Sequence, residues 1–397
     1  MSDSVSKRIY LCLASMGGNE ESYIHDAIAK NWVTSLGPEV DRFESLICDF
    51  LRKNEEDFHS VLAVSSGTAA LHLALLLSGV RPTDEVMCQS WTFSASVNPV
   101  CYLGATPVFV DSESLTWNID PELLEHAVRD RIKQTGKTPK ALVVVDLYGM
   151  PANWKEIRRI AREYGITLIE DSAEAMGAFY DGKPCGTLGD LGIFSFNGNK
   201  IITTGAGGAL ICQSEHIKKK GLYYATQAKQ PLPYYEHKDI GYNYRLSNIS
   251  AAIGCGQMEV LDKHILHHKR LCEVYEKELC EVDGIDVHRN PSEEYDSNYW
   301  LTTIILDDSY EQGTVEELRK CLDSKNIESR PLWKPMHLQP VFEDCPTYLN
   351  GVSDSLWNKG LCLPSGPKVS VEDAKYICAE IKRFCSDIND TRRIKNR

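Results

Sequence analysis

Lys200 stands in Phe194-Ser195-Phe196-Asn197-Gly198-Asn199-Lys200-Ile201-Ile202-Thr203-Thr204-Gly205, twenty-nine positions after Asp171, and Glu170-Asp171 closes the apolar run Ile166-Thr167-Leu168-Ile169. A lysine that follows a strand-like run and is surrounded by Ser, Asn and Gly can be kept from bulk water, where its amine is free to form a Schiff base. A carboxylate at the end of a buried strand supplies the complement. Set against a pyridine nitrogen, it keeps that nitrogen protonated, and the ring can then accept electrons from a carbon that is losing a proton. Most lysines are solvated and most strand-end aspartates open a loop. Together the two point to pyridoxal phosphate chemistry.

Other segments supply the remaining parts of such a site. Val61-Leu62-Ala63-Val64 is followed by Ser65-Ser66-Gly67-Thr68 and by an apolar helix predicted over 69–78. The free N–H groups at such a helix start form an anion site, and Gly67 lets a phosphate approach the backbone; the alternative is a plain Ser/Thr cap. Ser90-Trp91-Thr92-Phe93-Ser94-Ala95-Ser96 offers a ring to lie on a flat cofactor, with Phe93 the candidate and Trp91 the alternative; core packing is the competing reading. Ser195 could donate to the same phosphate, and Gly205-Ala206-Gly207-Gly208 supplies a tight turn. Arg245, in Gly241-Tyr242-Asn243-Tyr244-Arg245-Leu246-Ser247-Asn248, suits either the carboxylate of an amino-acid donor or a structural ion pair.

These residues need strands to carry them. Short, often β-branched runs at 61–64, 85–88, 107–110, 141–146, 166–170, 193–196 and 208–212 alternate with helical patterns such as 121–135 and 152–164. Near-continuous apolar strands separated by helices indicate an α/β domain with a mostly parallel sheet covered on both faces, and ligands of such sheets collect at the strands' carboxyl ends. Residues 247–279 read as one long helix or a broken pair leading to a smaller α+β unit. Its strand candidates are 285–288 and 300–306, and its helices lie near 315–325 and 371–384. The expected domains are 1–262 and 263–397, with the first ~25 residues free to pack on the smaller one.

Composition narrows the partners. A formal charge of −13, with 43% apolar and 25% charged residues, describes an ordinary soluble protein and argues against a nucleic-acid surface. No apolar run approaches a membrane span, and Met1 to Arg8 lacks the core of a signal peptide, so the expected location is the cytoplasm. Fourteen scattered cysteines without a C-x-x-C pair predict free thiols and no metal site. The basic end, 392–397, is read as solvated.

Taken in order, Gly67-Thr68-Ala69-Ala70-Leu71, Gly104-Ala105-Thr106-Pro107-Val108-Phe109-Val110-Asp111, Leu147-Tyr148-Gly149, Glu170-Asp171-Ser172-Ala173-Glu174-Ala175, Gly189-Asp190, Phe194-Ser195-Phe196, Lys200 and Asn243-Tyr244-Arg245 resemble the DegT/DnrJ/EryC1/StrS family of pyridoxal-phosphate sugar aminotransferases. The resemblance runs from about Met16 to Gly366. It implies the aspartate-aminotransferase fold (fold type I), with a seven-stranded, mostly parallel sheet and a small C-terminal domain. It further implies Lys200 as the Schiff-base lysine, Asp171 as partner of the pyridinium nitrogen, Phe93 as the stacking ring, Gly67, Thr68 and Ser195 as phosphate ligands, and Glu174 beside the cofactor's phenolic oxygen. Asn243 would reach the phosphate of a neighbouring subunit, so a homodimer is implied. Lys334 and His337 would lie near the nucleotide-sugar entrance, a packed turn histidine being the alternative for His337.

Asn197 to Thr204, Arg330-Pro331-Leu332-Trp333-Lys334-Pro335-Met336-His337 and Ser35-Leu36-Gly37-Pro38 look like the branch acting on UDP-linked 4-keto-6-deoxy sugars, including bacillosamine-pathway and exopolysaccharide aminotransferases. The activity so implied moves an amino group from L-glutamate, through pyridoxal phosphate and pyridoxamine phosphate, to the 4-keto carbon of a UDP-2-acetamido-2,6-dideoxy-4-ketohexose. A GDP- or dTDP-linked acceptor, a pyridoxamine-phosphate sugar dehydratase and a non-catalytic cofactor-binding regulator are the competing readings. The intact Lys200 speaks against the dehydratase, because family members of that type lack it. Two departures stand out: Glu174 where many members carry Gln, and Ala206-Gly207-Gly208 where many carry Glu-Gly-Gly.

Overall fold

The computed structural model describes residues 7–52 and 60–395; Met1–Ser6 of the N-terminal reading and Asn396 and Arg397 of the basic end lie outside the described residues, as do the side chains of 389–395. The seven apolar runs form one sheet in the order Ser60–Val64, Gly208–Cys212, Leu191–Ser195, Thr167–Asp171, Ala141–Val145, Glu85–Gln89, Thr106–Val110. Gly208–Cys212 is antiparallel to both neighbours, and the strands from Leu191–Ser195 outward pair in parallel. An eighth strand corrects the count of seven. Thr347–Tyr348, from the C-terminal part of the chain, adds in parallel to the Thr106–Val110 edge. Two residues have no periodicity to read, and only their tertiary position makes them a strand.

The helix at 67–77 shows why this layer is stable. Ser66 caps it through a hydrogen bond from the Ala69 N–H, and the residues from Ala69 to Leu75 are buried in an unbroken row. A helix apolar all round belongs in an interior. Each of its buried leucines contributes roughly 1.5–3 kcal/mol. The 247–279 pattern resolves as a broken pair, Asn248–Met258 capped by Ser247 and then Leu261–Leu279.

The smaller sheet is antiparallel, in the order Ile285–Val287, Thr302–Leu306, Gly360–Leu363, Arg330–Pro331. The helices Leu261–Leu279, Thr314–Ser324 and Val371–Lys395 cover it, with Leu271, Tyr275, Ile304, Leu318 and Ile377 in the shared core. The N-terminal segment joins this layer: Ile9 N–H donates to Asn326 O, and Glu328 N–H donates to Ile9 O. No described helix is long and apolar enough to cross a membrane.

Candidate active site

The register of the large sheet brings the phosphate candidates together. Gly208 pairs with both Val64 and Ser195, so the turn after Val64 and the end of the Leu191–Ser195 strand meet across one glycine. There is no room there for a side chain. A Cβ on Gly208 would lie 2.4 Å from Gly67 N, and one on Gly67 would lie 3.0 Å from Ser195 Cβ. Gly67 and Gly208 therefore serve close packing of helix start against strand end, beyond the turn and ligand roles read from sequence. The N–H groups of Gly67 and Thr68, first in the helix, have no carbonyl a turn earlier to bind. With Ser195 beside them they form a cradle for an anion.

One cavity of about 590 Å³ opens at these strand ends, lined by Gly67, Thr68, Phe93, Asp171, Glu174, Ser195 and Lys200 among others. Asp171 closes the Thr167–Asp171 strand. Its Oδ2 accepts from Ser96 Oγ at 2.6 Å and its Oδ1 from Ala173 N–H at 3.2 Å. Burial pushes its carboxyl up, while Ser96 and the Lys200 charge pull it back. Lys200 Nζ donates to Glu174 Oε1 at 3.1 Å and lies 4.1 Å from the centre of the Trp300 ring. Burial likewise raises Glu174, and Lys200 opposes that rise.

Glu174 is held from its other side by Tyr148 N–H at 2.8 Å, and Tyr148 has a left-handed backbone, φ 55°. Strain of this kind in a non-glycine residue persists where surrounding contacts impose it. Here they do: Tyr148 OH accepts from Trp333 N–H at 2.9 Å, and Asn298 Nδ2 donates to Glu174 O at 2.8 Å and Met176 O at 3.0 Å.

Phe93 is 55% exposed and faces the cavity, whereas Trp91 is fully buried and stacked on Trp117. Of the two rings, Phe93 is the one open to a ligand. The cavity thus fits pyridoxal phosphate by its own chemistry, with an amine and a buried carboxylate in one space, an anion cradle at the helix start and an uncovered ring.

Four expected residues are elsewhere. Arg245 is buried in an ion pair with Glu44 and donates to Ala63 O at 3.0 Å, so within the chain the donor-carboxylate reading gives way to the structural one. Glu44 also holds Lys218 and Ala63 N–H, a buried network that needs its arginine. His337 is packed between Ser90 Oγ at 2.6 Å and Asp354 Oδ1 at 3.0 Å, the turn histidine of the alternative reading. Lys334 is exposed and does not line the cavity. Asn243 is exposed too, its Oδ1 accepting from Gln227 Nε2 at 3.0 Å.

Sequence reasoning gave no site role to Ser96, Tyr148, Asn298 or Trp300. Ser96 sat inside the segment read for its aromatics, where Thr92 Oγ1, 2.7 Å away, links it to the same loop. Trp300 gave no local signal, because its indole reaches Lys200 from a hundred residues further along the chain.

Behind Asp171, the donor atoms of Asp146, Glu170 and Cys185 lie within 4.8 Å of one another, fully buried. Protein donors already occupy the carboxylates. Asp146 accepts from Trp154 Nε1 and Ala152 N–H, and Glu170 from the N–H groups of Gly186, Leu188 and Gly189. Ser172 Oγ lies 2.8 Å from Asp146 and 2.9 Å from Glu170 but has one hydrogen to give. Burial pushes Asp146 up to about 6 and Glu170 well above the carboxylate range, the latter also through the Asp146 charge. A carboxyl raised on folding binds more protons folded than unfolded, so the pair's stabilisation is present in acid and lost as pH rises above the ordinary carboxylate range. Asp146→Asn, whose amide can donate to Glu170, should flatten this dependence and melt no lower than wild type at about pH 8. Melting temperatures from about pH 5 to pH 8 test this, and an unchanged pH slope in the variant would refute it.

Fold and cavity fit a pyridoxal-phosphate-dependent enzyme of fold type I. The chain belongs to the DegT/DnrJ/EryC1/StrS aminotransferase family, whose model matches residues 14–382. It is 42% identical over 371 residues to EpsN of Bacillus subtilis (strain 168), named as a pyridoxal phosphate-dependent aminotransferase, covering 92% of this chain and 93% of that one. It is 37% identical over 373 residues to GDP-perosamine synthase of Escherichia coli O157:H7, covering 94% and 97%. The crystal structure of a DegT DnrJ EryC1 StrS aminotransferase from Brucella abortus superposes with a TM-score of 0.84 at 29% identity, covering 92% of this chain and 95% of that one. The protein is a sugar aminotransferase.

Proposed function

We propose that the enzyme transfers the amino group of L-glutamate to the 4-keto carbon of a UDP-linked 4-keto-6-deoxyhexose, giving a UDP-4-amino-4,6-dideoxy sugar. The observation that carries the site assignment is the meeting of Lys200, Asp171 and the Gly67–Ser195 cradle in one cavity. When bound, the cofactor supplies an electron sink for the carbon being deprotonated. Lys200 carries the proton, as base and then acid, in each half-reaction. Asp171, buried and fixed by Ser96, keeps the ring nitrogen charged. Gly67, Thr68 and Ser195 hold the phosphate, and Phe93 covers the ring. Glu174 orients the Lys200 amine from 3.1 Å.

The family resemblance of Asn243-Tyr244-Arg245 supports a homodimer in which Asn243, exposed in the single chain, reaches the phosphate of the neighbouring subunit. The motifs at 197–204 and 330–337 support the UDP-linked acceptor. A GDP-linked acceptor is the second reading, supported by the likeness to GDP-perosamine synthases at 37% and 38% identity. Mass spectrometry of products formed from glutamate and a panel of UDP-, dTDP- and GDP-4-keto-6-deoxy sugars separates the two. An aminated UDP sugar formed fastest is the expected result, a preference for GDP selects the second reading, and no aminated sugar at all rejects both.

A further inference from the structure

In the proposed reaction two substrates use this cavity in turn, an amino dicarboxylate and a nucleoside diphosphate sugar, and both bring anionic oxygens. Among the described residues of this chain that line the cavity, Lys200 and Arg330 are the cations. Lys200 is engaged with Glu174 at the reacting end. Arg330 begins the Arg330–Pro331 strand, in register with Cys362, which also lines the cavity.

Its guanidinium is aimed by a single carboxylate. Arg330 Nε and Nη2 donate to Glu328 Oε1 at 3.1 and 2.8 Å, and Glu328 Oε2 accepts from Leu11 N–H at 3.1 Å. Glu328 is thereby tied to the N-terminal segment that walls the cavity. The pair uses one edge of the guanidinium and leaves the Nη1 hydrogens to a ligand. The Arg330 side chain is 67% exposed at the cavity mouth. Ion pairs this exposed add little to stability, so the fold has small need of this arginine.

We propose that Arg330 is the anion-recognition residue of the cavity, binding the carboxylate of the amino donor or the phosphate of the nucleotide sugar. This rests on the aminotransfer proposed above. A planar, permanently charged fork suits either oxyanion. The buried Glu44 network holds Arg245, and Arg330 is the arginine that lines the cavity.

The test titrates the cofactor-loaded enzyme with glutarate, a dicarboxylate without the amine, and separately with UDP and GDP, by calorimetry, in wild type, R330Q and R330K. R330Q should weaken binding of glutarate, of the nucleotide that wild type prefers, or of both by about 10- to 100-fold, with R330K recovering part and melting temperatures unchanged. Loss confined to glutarate assigns the donor carboxylate, and loss confined to the nucleotide assigns the phosphate. Wild-type affinity of R330Q for every probe overturns the proposal. Failure of the aminotransfer reading is recognised separately, as wild-type enzyme that releases no 2-oxoglutarate from glutamate.

Discussion

Replacement of Lys200 by alanine is expected to lower aminotransfer by about 10³-fold or more, because in the proposed mechanism one amine is both the point of cofactor attachment and the proton carrier. The fold should survive the change. Lys200 contacts Glu174 and the face of Trp300, and neither contact lies in the sheet. The cost of removing it is a buried carboxylate without its cation, and burial already raises Glu174, so that group can take up a proton instead. Single-turnover product formation with added pyridoxal phosphate measures the loss, and borohydride treatment of wild type followed by peptide mapping should find the cofactor attached at Lys200. A variant within tenfold of the wild-type rate, or label on another lysine, would reject the assignment.

Asp171→Asn should have the next largest effect, a fall of about 10²- to 10⁴-fold in turnover. The amide has the shape of the carboxylate and its one oxygen can still accept from Ser96, at the cost of the longer Ala173 N–H bond, so the pocket keeps its shape while the negative charge proposed to face the ring nitrogen is lost. That charge is maintained at some cost. Burial favours the neutral acid, and the Ser96 hydroxyl at 2.6 Å, the Ala173 N–H and the Lys200 charge oppose it. Ser96→Ala should therefore lower turnover in the same direction but less. Half-reaction rates with glutamate, measured at equal cofactor occupancy, separate the electronic effect from weaker cofactor binding. If Asp171→Asn matches wild type under those conditions, another group holds the ring nitrogen.

Much of this was legible because the informative residues act locally. Asp171 ends an apolar run, Ser66 to Thr68 starts an apolar helix, and Lys200 sits among small polar residues. Each of these follows from propensity, capping and periodicity over a few residues. The same is true of the seven main strands, whose near-continuous apolar character reports burial on both faces. Phe93 and Trp91 show the limit of that reading. Two aromatic residues in one loop have equal claim to a ligand until packing against Trp117 removes Trp91.

The amino-acid sequence by itself determined the class of fold, and it singled out the lysine, the carboxylate and the helix start that line one cavity. Only the tertiary structure decided which distant groups serve them. It buried Arg245 against Glu44, packed His337 between Ser90 and Asp354, brought Trp300 to Lys200, and set Arg330 at the cavity mouth beside Glu328. It also recruited Thr347–Tyr348 to the edge of the large sheet. The physical reason is range: hydrophobic periodicity and caps act between near neighbours in the chain, whereas the partner of a charge or ring is fixed by how whole layers pack.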